Sequence, residues 1–597
     1  MIAPRLEWLL PEPILDPPAF PGFDAPVATL LARRGITTSD QLARFLDAGE
    51  AALHPISTMA DAEAALNRIE QAVDGGEQIA IWGDYDADGM TAVAVWVLAL
   101  RALGVDARRY IPSRWSEGYG LSVAGLRLLA ERGVRLVVTC DCGVVNVAEV
   151  EAARSLGIDV VITDHHLPGS GLPRAVAVVD PHRPDCAYPD PDLTGAGVAY
   201  KLARALLARR GVVAEGLAAI AAIGTIADLA PMTGESRAIV RLGLAELAAT
   251  RRPGLRALLS RAAQDPEHPV SRDLAMAIAP RINAAGRIAE AELAISLLVA
   301  DDPIEAAHLA DELEVVHRRR RELSAEAIEQ ARALAAEIPS GNGPVVIRRD
   351  GWAPGLIGLV AGRMADELSR PVAVVTRAGD ELRGSVRAQA DFHVADALEA
   401  CGALLTKRGG HAGAGGFSLG ADTWEGFRSA WTEIPRPYPS ALAAVTSRGQ
   451  GIVVDLVLPS RHLTWGIAAQ LDRLTPYGPG NVQPVLAVTG MRVREARRVG
   501  PSEAHIAFRM RRGPETFDAV AFGAPAERQL PEEGSAIDLV GTLERDVFQG
   551  IERLRLRVLD YADTATSPLV ARRLPRMTPA PSVADAGGLP LAARAAG

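Results

Sequence analysis

The stretch IWGDYDADGMTAVAVWVLAL, residues 81–100, decides the fold of the first half of the chain. Its apolar start is interrupted by Asp84, Asp86 and Asp88 on alternate residues, and it then continues as an apolar helical segment. Clustered carboxylates repel one another, so a fold keeps them close only where positive charge lies among them. The stretch therefore predicts a strand, an acidic turn that binds a cation, and a helix.

The same alternation of strand-like and helical segments extends from about residue 46 to residue 305. Strands are predicted at QIAIWG, RLVVTC, DVVITD and AVAVVD, and helices at 90–103, 123–132 and 147–156. Such alternation is typical of an α/β fold in which helices cover a parallel sheet. The carboxyl ends of parallel strands lie along one edge of the sheet, which is where ligands bind.

The whole chain of 597 residues is too long for one core, so several domains are expected. We predict a Pro-rich N-terminal cap segment at 1–45, the parallel-sheet domain at 46–305 and a connecting helix at 306–339 with a basic collar at Arg318 to Arg321. A smaller α/β domain is predicted at 340–440. Short alternating strands at 448–563 favour a β-barrel, and the Pro/Ala-rich segment 564–597 is expected to be disordered.

The composition sets weaker limits. A formal net charge of −10 argues mildly against a nucleic-acid partner, but a carboxylate-built metal site adds negative charge that bound cations offset. The four cysteines form no disulfide framework, which favours a reducing compartment. We see no signal-peptide pattern and no apolar run long enough to span a bilayer, so a cytoplasmic protein without a membrane partner is expected.

Acidic or imidazole side chains follow three predicted strands and one further apolar run. The set comprises Asp84, Asp86, Asp88, Asp141, Asp164, His165, His166 and Asp228. A single Asp after a strand is usually a helix N-cap, but three strand ends that all carry such groups favour a functional set. Asp and His ligands without thiolate suit Mn²⁺ or Mg²⁺ better than Zn²⁺, and two ions that share a carboxylate serve phosphoryl transfer.

These residues lie in recognisable motifs. DYDADG, DCG, DHH and IADLAPMTGESR occur in the order of the four phosphoesterase motifs of the DHH superfamily, which the chain resembles over about 50–563. PSRWSEGYGLS, GAGVAYK and RINAAGR resemble its branch of bacterial single-stranded-DNA-specific exonucleases. GWAPGLIGLVAGRMADELSRPVAVV, GSVRAQADFHVADAL and GGHAGAGGFSL resemble the DHH-associated domain, DHHA1. LTPYGPGNVQPVL and VGTLERDVFQGIERLRLRVLD resemble the attached OB-fold. Ala353 departs from the family, which usually has His after GW, so a substrate contact or a supporting hydrogen bond there is absent or supplied otherwise.

The resemblance implies two divalent cations, Mn²⁺ or Mg²⁺, and a role for each residue. The implied metal ligands are Asp84, Asp86, Asp88, Asp141, His165 and Asp228, with Asp86 and Asp88 on different ions, Asp141 bridging them, and Asp84 either a ligand or an anchor. The implied catalytic residues are Asp141, His166, which faces the scissile phosphate, and Asp164, which orients its neighbouring histidines. The implied substrate-binding residues are Arg114, Arg281, Arg287, Ser385, Arg387, Gly410 and His411.

The function implied is processive 5′→3′ hydrolysis of single-stranded DNA to 5′-mononucleotides, in DNA repair and recombination. A RecQ-type helicase and a single-strand-binding protein are the expected partners of a monomeric enzyme. One alternative is a DHH phosphoesterase of short oligonucleotides, cyclic dinucleotides or pyrophosphate, although such chains lack the segment at 448–563. Another is a non-catalytic DHH scaffold of a replication complex, which the intact ligand set opposes. A generic nucleotide-binding protein is disfavoured because no Walker or GxGxxG loop follows the first strand.

Overall fold

A computed structural model describes residues 1–114, 117–262, 265–436, 451–500, 503–512, 515–548 and 551–571. The described residues divide into two compact units. The larger comprises those of 36–449 and 472–483, and the smaller comprises those of 1–35, 450–471 and 484–597. In the described part of the chain, no helix combines the length and the apolar character that crossing a membrane requires.

The larger unit begins with the predicted parallel-sheet domain. Elements are numbered in chain order, and β1 (Glu7–Leu9) and α1 (Ala25–Arg33) belong to the smaller unit. The domain contains α2 (Ser39–Leu46), α3 (Ala62–Asp74), β2 (Gln78–Gly83), α4 (Ala87–Ala102), β3 (Arg108–Tyr110), α5 (Val123–Glu131), β4 (Val134–Cys140), α6 (Val147–Ser155), β5 (Asp159–Thr163), β6 (Ala177–Val179), α7 (Gly195–Arg209), α8 (Leu217–Ala227), α9 (Gly234–Ala249), α10 (Pro253–Ala262), α11 (Ser271–Asp273), a π-helical turn (Leu274–Ile278), α12 (Ala279–Ile288) and α13 (Glu292–Val299).

Its five strands lie in the order β3-β2-β4-β5-β6 and every pair is parallel, which confirms the predicted sheet. Both faces are covered, because alternate residues of β2 enter different cores. Ile79 and Ile81 pack with α4, whereas Ala80 and Trp82 pack with the side of α5 and α6. All strands therefore end at the same edge, where the predicted site lies.

Helix α4 follows β2 and is buried around its whole circumference. We predicted it at 90–103, but it begins at Ala87, because the Asp86 carboxylate caps it and accepts from the main-chain nitrogens of Asp88 at 3.0 Å and Gly89 at 3.1 Å. Sequence periodicity alone could not include these residues, since the first turn of the helix is acidic rather than apolar. The acidic turn and the helix start are thus one structure.

Helices α7 and α9 are joined by a buried ion pair between Lys201 and Glu235. Glu235 also accepts from the Tyr188 hydroxyl at 2.5 Å and from the main-chain nitrogen of His54 at 2.6 Å. A buried charge pair of this kind keeps its place only where its remaining hydrogen-bonding capacity is satisfied. The pair fixes α7, whose N-terminus reaches the predicted metal site.

The connecting helix, α14 (Pro303–Ala336), leads to the smaller α/β domain. The helix begins before the predicted 306 because Asp302 caps it, accepting from Ile304 at 2.9 Å and Glu305 at 2.8 Å. The domain contains β7 (Val345–Arg348), α15 (Ile357–Leu368), β8 (Val372–Ala378), β9 (Glu381–Arg387), α16 (Val394–Ala400), β10 (Lys407–Gly410), β11 (Ala414–Gly420) and α17 (Trp424–Glu433). Its mixed sheet has the order β10-β11-β9-β8-β7, with only β7 and β8 parallel. The predicted second α/β fold is confirmed.

The smaller unit contains the predicted barrel. Its later elements are β12 (Gly451–Val453), β13 (Leu456–Pro459), α18 (Trp465–Asp472), β14 (Leu486–Val499), β15 (His505–Arg512), β16 (Glu515–Ala521), β17 (Ala536–Phe548) and β18 (Ile551–Asp563). The strand order β14-β15-β16-β18-β17 closes through pairing of β17 with β14, so the barrel prediction is confirmed.

The chain start belongs to this barrel unit as well. Strand β1 pairs in parallel with β12, and Trp8 donates its indole hydrogen to Asp560 at 3.0 Å. The segment 1–45, predicted as one cap, is therefore divided, with residues 1–35 in the smaller unit. In the predicted disordered tail, the Thr566 hydroxyl donates to the main chain of Ile2 at 2.7 Å and a short 3-10 helix covers Pro568–Ala571. The rest of that tail, 572–597, lies outside the described residues.

Candidate metal centre and anion site

The predicted metal ligands converge at the carboxyl edge of the parallel sheet. Nε2 of His165, after β5, lies 2.9 Å from Oδ1 of Asp141, after β4. The same nitrogen lies 3.8 Å from carboxylate oxygens of Asp88, in α4, and of Asp228, at the end of α8. Four elements that are distant in sequence thus supply one cluster.

The cluster contains three overlapping groups that could hold a metal ion, each with its ligand atoms within 4.8 Å of one another. The groups are Asp84, Asp86 and Asp141; Asp88, His165 and Asp228; and Asp141, His165 and His166. The overlap is informative, because Asp86 and Asp88 fall into different groups while Asp141 joins two of them. All six predicted ligands therefore lie in this cluster, in which Asp141 shares a group with Asp84 and Asp86 and contacts the Asp88 group through His165 at 2.9 Å.

Two local features explain this placement. Asp141 has the left-handed φ of 63°, and its main-chain nitrogen donates to Thr163 at 3.1 Å, so the backbone turns as β4 ends. Asp88 accepts from the first main-chain nitrogens of α7, at Gly195 (2.7 Å) and Ala196 (3.1 Å). A Cβ on Gly195 would lie 2.6 Å from Cβ of Asp141, so only glycine lets this helix approach the cluster.

The carboxylates are in an environment that disfavours their negative charge. Burial, and then Asp86, raises the pKa of Asp84 to about 8, and burial with Asp88 raises the pKa of Asp228 to about 7. Burial together with neighbouring carboxylates also raises the pKa of Asp88 and of Asp141. Oδ1 of Asp84 is buried and has no hydrogen-bond partner among the residues that the structure describes. An oxygen-rich cluster with a vacant buried acceptor fits hard divalent cations such as Mg²⁺ or Mn²⁺.

Asp164 lies beside the cluster rather than in any of the three groups. Its carboxylate accepts from the main-chain nitrogens of Val144 at 2.9 Å and His165 at 2.8 Å, and from Nδ1 of His166 at 2.8 Å. Burial would raise the pKa of Asp164, but the His166 hydrogen bond and charge lower it. Burial would likewise lower the pKa of His166, and Asp164 raises it to about 9. The predicted orienting contact between Asp164 and a histidine is present.

The cationic residues predicted to bind substrate separate into two sets. Arg287 on α12 is partly buried and donates to the main chain of Gly355 at 3.1 Å. Burial, then the nearby charge of Arg114, lowers the pKa of Arg287 to about 10, and Arg320 and Arg387 act in the same direction. An arginine cluster of this kind, formed from both α/β domains, has the charge and the donors to hold an anion.

Arg281 is placed differently. Its Nε lies 2.7 Å from a carboxylate oxygen of Glu314 on α14, and its Nη1 donates to Ala277 at 3.0 Å. The ion pair and the main-chain contact make Arg281 a link between α12 and the connecting helix. Arg320 of the basic collar, in contrast, contributes charge to Arg287.

The remaining predicted residues lie on the sheet of the second α/β domain. Nη1 of Arg387, on β9, donates to the main chain of Val386 at 2.8 Å and to the Ser385 hydroxyl at 3.3 Å. Gly410 has a φ of 155°, and a Cβ there would lie 2.4 Å from the main-chain oxygen of Ala414. Burial, and then the charges of His166 and His165, lower the pKa of His411. The charges of His165 and His166 therefore act on His411.

The loop that carries Arg114 connects the two α/β domains. The Arg114 guanidinium lies 3.9 Å above the ring of Tyr85, the residue between Asp84 and Asp86 in sequence. On the other side, Arg383 of β9 donates to the main-chain oxygen of Arg114 at 2.8 Å. Gly286 of α12 packs closely against the main chain of Tyr85, and this approach requires glycine because a Cβ there would lie 1.7 Å from the main-chain oxygen of Tyr85. Metal cluster and arginine cluster are thus held side by side.

Ala353, where the family usually has His, lies in the turn before α15. Its main-chain oxygen accepts from Leu356 at 2.9 Å. A methyl group offers no polar contact, so any contribution to anion binding from this region must come from other residues.

Sequence reasoning missed two contacts inside motifs that it had singled out. The Tyr119 hydroxyl of PSRWSEGYGLS contacts the main-chain oxygen of Asp141 and Nδ1 of His166, both at 3.1 Å. Oδ1 of Asn283, in RINAAGR, accepts from the main-chain nitrogen of Ala87 at 3.1 Å and holds the start of α4. A polar residue inside a motif was the available signal, but its partner was not visible in sequence.

The barrel carries a separate groove of about 600 Å³, lined by residues that include Trp465, Arg494, Arg509 and Arg553. Trp465 is 46% exposed, and a half-exposed aromatic beside arginines suits a stacked nucleobase. Phe508 of the same barrel belongs to its buried core.

Residues 78–225 match the DHH family, N-terminal domain, residues 342–434 match the DHHA1 domain, and residues 454–560 match the RecJ OB domain. The curated single-stranded-DNA-specific exonuclease RecJ of Bacillus subtilis is 34% identical over 543 residues, or 90% of this chain and 68% of that protein. That of Escherichia coli is 33% identical over 554 residues, or 88% and 94%.

Solved structures agree. The crystal structure of RecJ from Thermus thermophilus in complex with Mn²⁺ superimposes with a TM-score of 0.76 at 30% identity, covering 94% of this chain and 80% of that one. The complex of that protein with Mg²⁺ has a TM-score of 0.71 at 28% identity, covering 94% and 79%. Similarity therefore extends over both α/β domains and the barrel.

Proposed function

The chain belongs to the RecJ family of single-stranded-DNA-specific exonucleases, and on that premise we propose that it degrades single-stranded DNA from the 5′ end and releases 5′-mononucleotides. The observation that carries the proposal is the adjacency of an acidic cluster and an arginine cluster in one unit. The first suits divalent cations and the second suits phosphate, as phosphodiester hydrolysis requires.

The metal site is assigned to residues that fit the expected ions. Asp84, Asp86 and Asp141 would hold one ion, and Asp88, His165 and Asp228 the other, with Asp141 common to both. When bound, two divalent cations activate a water and neutralise charge on the phosphate and the leaving oxygen. Mn²⁺ and Mg²⁺ are the ions found with the Thermus thermophilus relative.

The surrounding side chains position the reacting groups. Asp164 holds Nδ1 of His166, which leaves Nε2 of that ring for the phosphate. Arg387 and His411 would bind the 5′-terminal phosphate, with Arg114 and Arg287 supplying further positive charge. A clamp at a fixed distance from the metal cluster explains single-nucleotide steps, because every cut creates a new 5′-phosphate.

Only an unpaired strand is expected to reach this site, since a duplex is roughly 20 Å wide and a channel that grips one strand is far narrower. A strand unwound by a RecQ-type helicase and covered by a single-strand-binding protein is the natural source of such DNA, and we propose both as partners. The four free cysteines agree with work in a reducing compartment such as the cytoplasm.

The rival functions predict different sequences. A DHH phosphoesterase of short oligonucleotides or cyclic dinucleotides has no need for the RecJ OB domain that this chain contains. A non-catalytic scaffold has no need to keep six metal-ligand candidates in closely spaced groups at one sheet edge.

The test uses 5′-labelled and internally labelled oligonucleotides, single-stranded or as blunt duplex, with Mn²⁺, Mg²⁺ or EDTA, followed by product sizing. We expect mononucleotides from the 5′ end of single strands, little product from duplex, and none with EDTA. The variant Asp141→Asn is the matched inactive control. Equal rates on single strand and blunt duplex would reject the proposed channel.

A further inference from the structure

The segment EGYGLS, residues 117–122, carries a side chain to which the proposed mechanism gives no role. The hydroxyl oxygen of Tyr119 lies 3.1 Å from the main-chain oxygen of Asp141 and 3.1 Å from Nδ1 of His166. The Tyr119 and His166 rings meet edge to face, with their centroids 5.6 Å apart. The Tyr119 hydroxyl thus contacts the main chain of Asp141, a residue of the metal cluster, and the imidazole of His166, which is proposed to face the phosphate.

The directions of these hydrogen bonds follow from chemistry. A carbonyl oxygen only accepts, so the Tyr119 hydroxyl donates to Asp141. The hydroxyl oxygen then accepts from Nδ1 of His166, which also lies 2.8 Å from the carboxylate of Asp164. Nδ1 therefore carries a proton placed between two acceptors. Nε2 is the ring nitrogen left for a substrate, whether the ring is neutral or charged.

The loop is built to hold this phenol. The Glu117 carboxylate accepts from the hydroxyls of Tyr110 at 2.7 Å and Ser122 at 2.9 Å. Gly120 has a left-handed φ of 86°, and a Cβ there would lie 2.6 Å from the side-chain oxygen of Asn146. A β-carbon is excluded on both grounds, so glycine lets the loop pass close enough for Tyr119 to reach His166.

We propose that Tyr119 is a positioning residue whose hydroxyl fixes the ring plane and the Nδ1–H state of His166. One acceptor, Asp164, sets the direction of the Nδ1–H bond but allows the ring to turn about it. The second acceptor, on another element, removes that freedom and keeps Nε2 directed at the scissile phosphate. This role rests on the proposed function, because it presupposes that His166 faces phosphate.

The first test is Tyr119→Phe, which removes the hydroxyl and keeps the ring. We expect kcat on single-stranded DNA to fall about 3- to 10-fold, the effect of one lost hydrogen bond, with KM changed less than about twofold. Tyr561→Phe is the control, since it removes a hydroxyl that donates to the main chain of Gln529 at 2.8 Å and does not touch His166, and it should keep kcat within about twofold. A rise in KM at unchanged kcat would make Tyr119 a DNA contact and overturn the proposal.

The second test asks whether the hydroxyl acts through His166. In the His166→Gln background, Tyr119→Phe should have no further effect, because the group it positions is gone. An equal fold-loss in both backgrounds would mean that the phenol acts independently, and would refute the positioning role.

The third test does not depend on activity. In metal-free protein without DNA, the Nδ1–H proton of His166 is assigned by NMR through its loss in His166→Gln. Its exchange with water should be slow in the wild type, faster in Tyr119→Phe and unchanged in Tyr561→Phe. Unchanged exchange in Tyr119→Phe would overturn the proposal. Failure of the wild type to hydrolyse DNA would instead reject the proposed function and leave this measurement readable.

Discussion

Arg387 offers the sharpest test of the 5′-phosphate clamp. It is partly buried on β9, its guanidinium donates to the main chain of Val386 and to Ser385, and burial lowers the pKa of its side chain. Among the described residues no carboxylate lies within ion-pair distance of it. A partly buried cation without an acidic partner retains donors for an anion, and a charge-assisted contact of this kind contributes about 1.5–3 kcal/mol.

Arg387→Ala should therefore slow hydrolysis of 5′-phosphorylated single-stranded DNA about 10- to 150-fold, and of 5′-hydroxyl DNA by less than about threefold. The assay measures single-turnover rates of both substrates on both proteins, which gives a thermodynamic cycle for residue and phosphate. Arg377→Ala is the control, because Arg377 lies on the neighbouring strand but is exposed and paired with Asp350 at 3.3 Å. If Arg387→Ala slowed the two substrates equally, the residue would contact the DNA backbone generally and the clamp would lie elsewhere.

Three further substitutions test the site and its support. Asp141→Asn should abolish hydrolysis but raise the melting temperature of the metal-free protein, because a neutral group replaces a buried carboxylate with a raised pKa. Calorimetry with and without Mn²⁺ measures this, and a lower melting temperature of the metal-free variant would contradict it. Gly286→Ala should destabilise the protein by about 1–3 kcal/mol and impair hydrolysis, because the new Cβ would collide with the main-chain oxygen of Tyr85. The control Gly171→Ala has open space around its Cβ, so it should change neither stability nor activity in the same denaturation and activity assays. Lys201→Met should lower the free energy of unfolding by about 3–5 kcal/mol because it leaves the buried Glu235 carboxylate unpaired, whereas Arg332→Ala at a surface ion pair should lower it by about 1 kcal/mol or less. Similar losses of the two variants in urea denaturation would refute this difference between buried and surface ion pairs.

The metal cluster was predictable because residue type and strand position carry the information. Carboxylates and imidazoles after successive parallel strands must meet at one sheet edge, so Asp141 and His165 could be brought together without coordinates. The arginines of RINAAGR were harder. Arg281 and Arg287 are six residues apart on α12, or roughly 240° around a helix, so they face different surroundings. Their shared motif could not show that Arg281 pairs with Glu314 while Arg287 enters the anion site.

Long-range pairing lay outside what sequence patterns reveal. Strand β1 has three residues, Glu7–Leu9, and its partner is Gly451–Val453, so neither segment has enough periodicity to predict the pair. Tyr119 presents the same difficulty for side chains. Its motif marked it as unusual, but a hydroxyl that contacts His166 across 47 positions of sequence is a property of the folded loop.

Two opposite electrostatic costs lie side by side in this unit, and one ligand relieves both. Burial raises the pKa of Asp84 to about 8 and lowers that of Arg287 to about 10, so each group is held where its charged form is disfavoured. Direct pairing of the two sets would remove the cost, but the fold keeps them on different elements. A divalent cation relieves only the carboxylates, and a phosphate relieves only the arginines. A phosphodiester bound to divalent cations satisfies both at once, which is why the substrate and the metal ions should bind this site most strongly together.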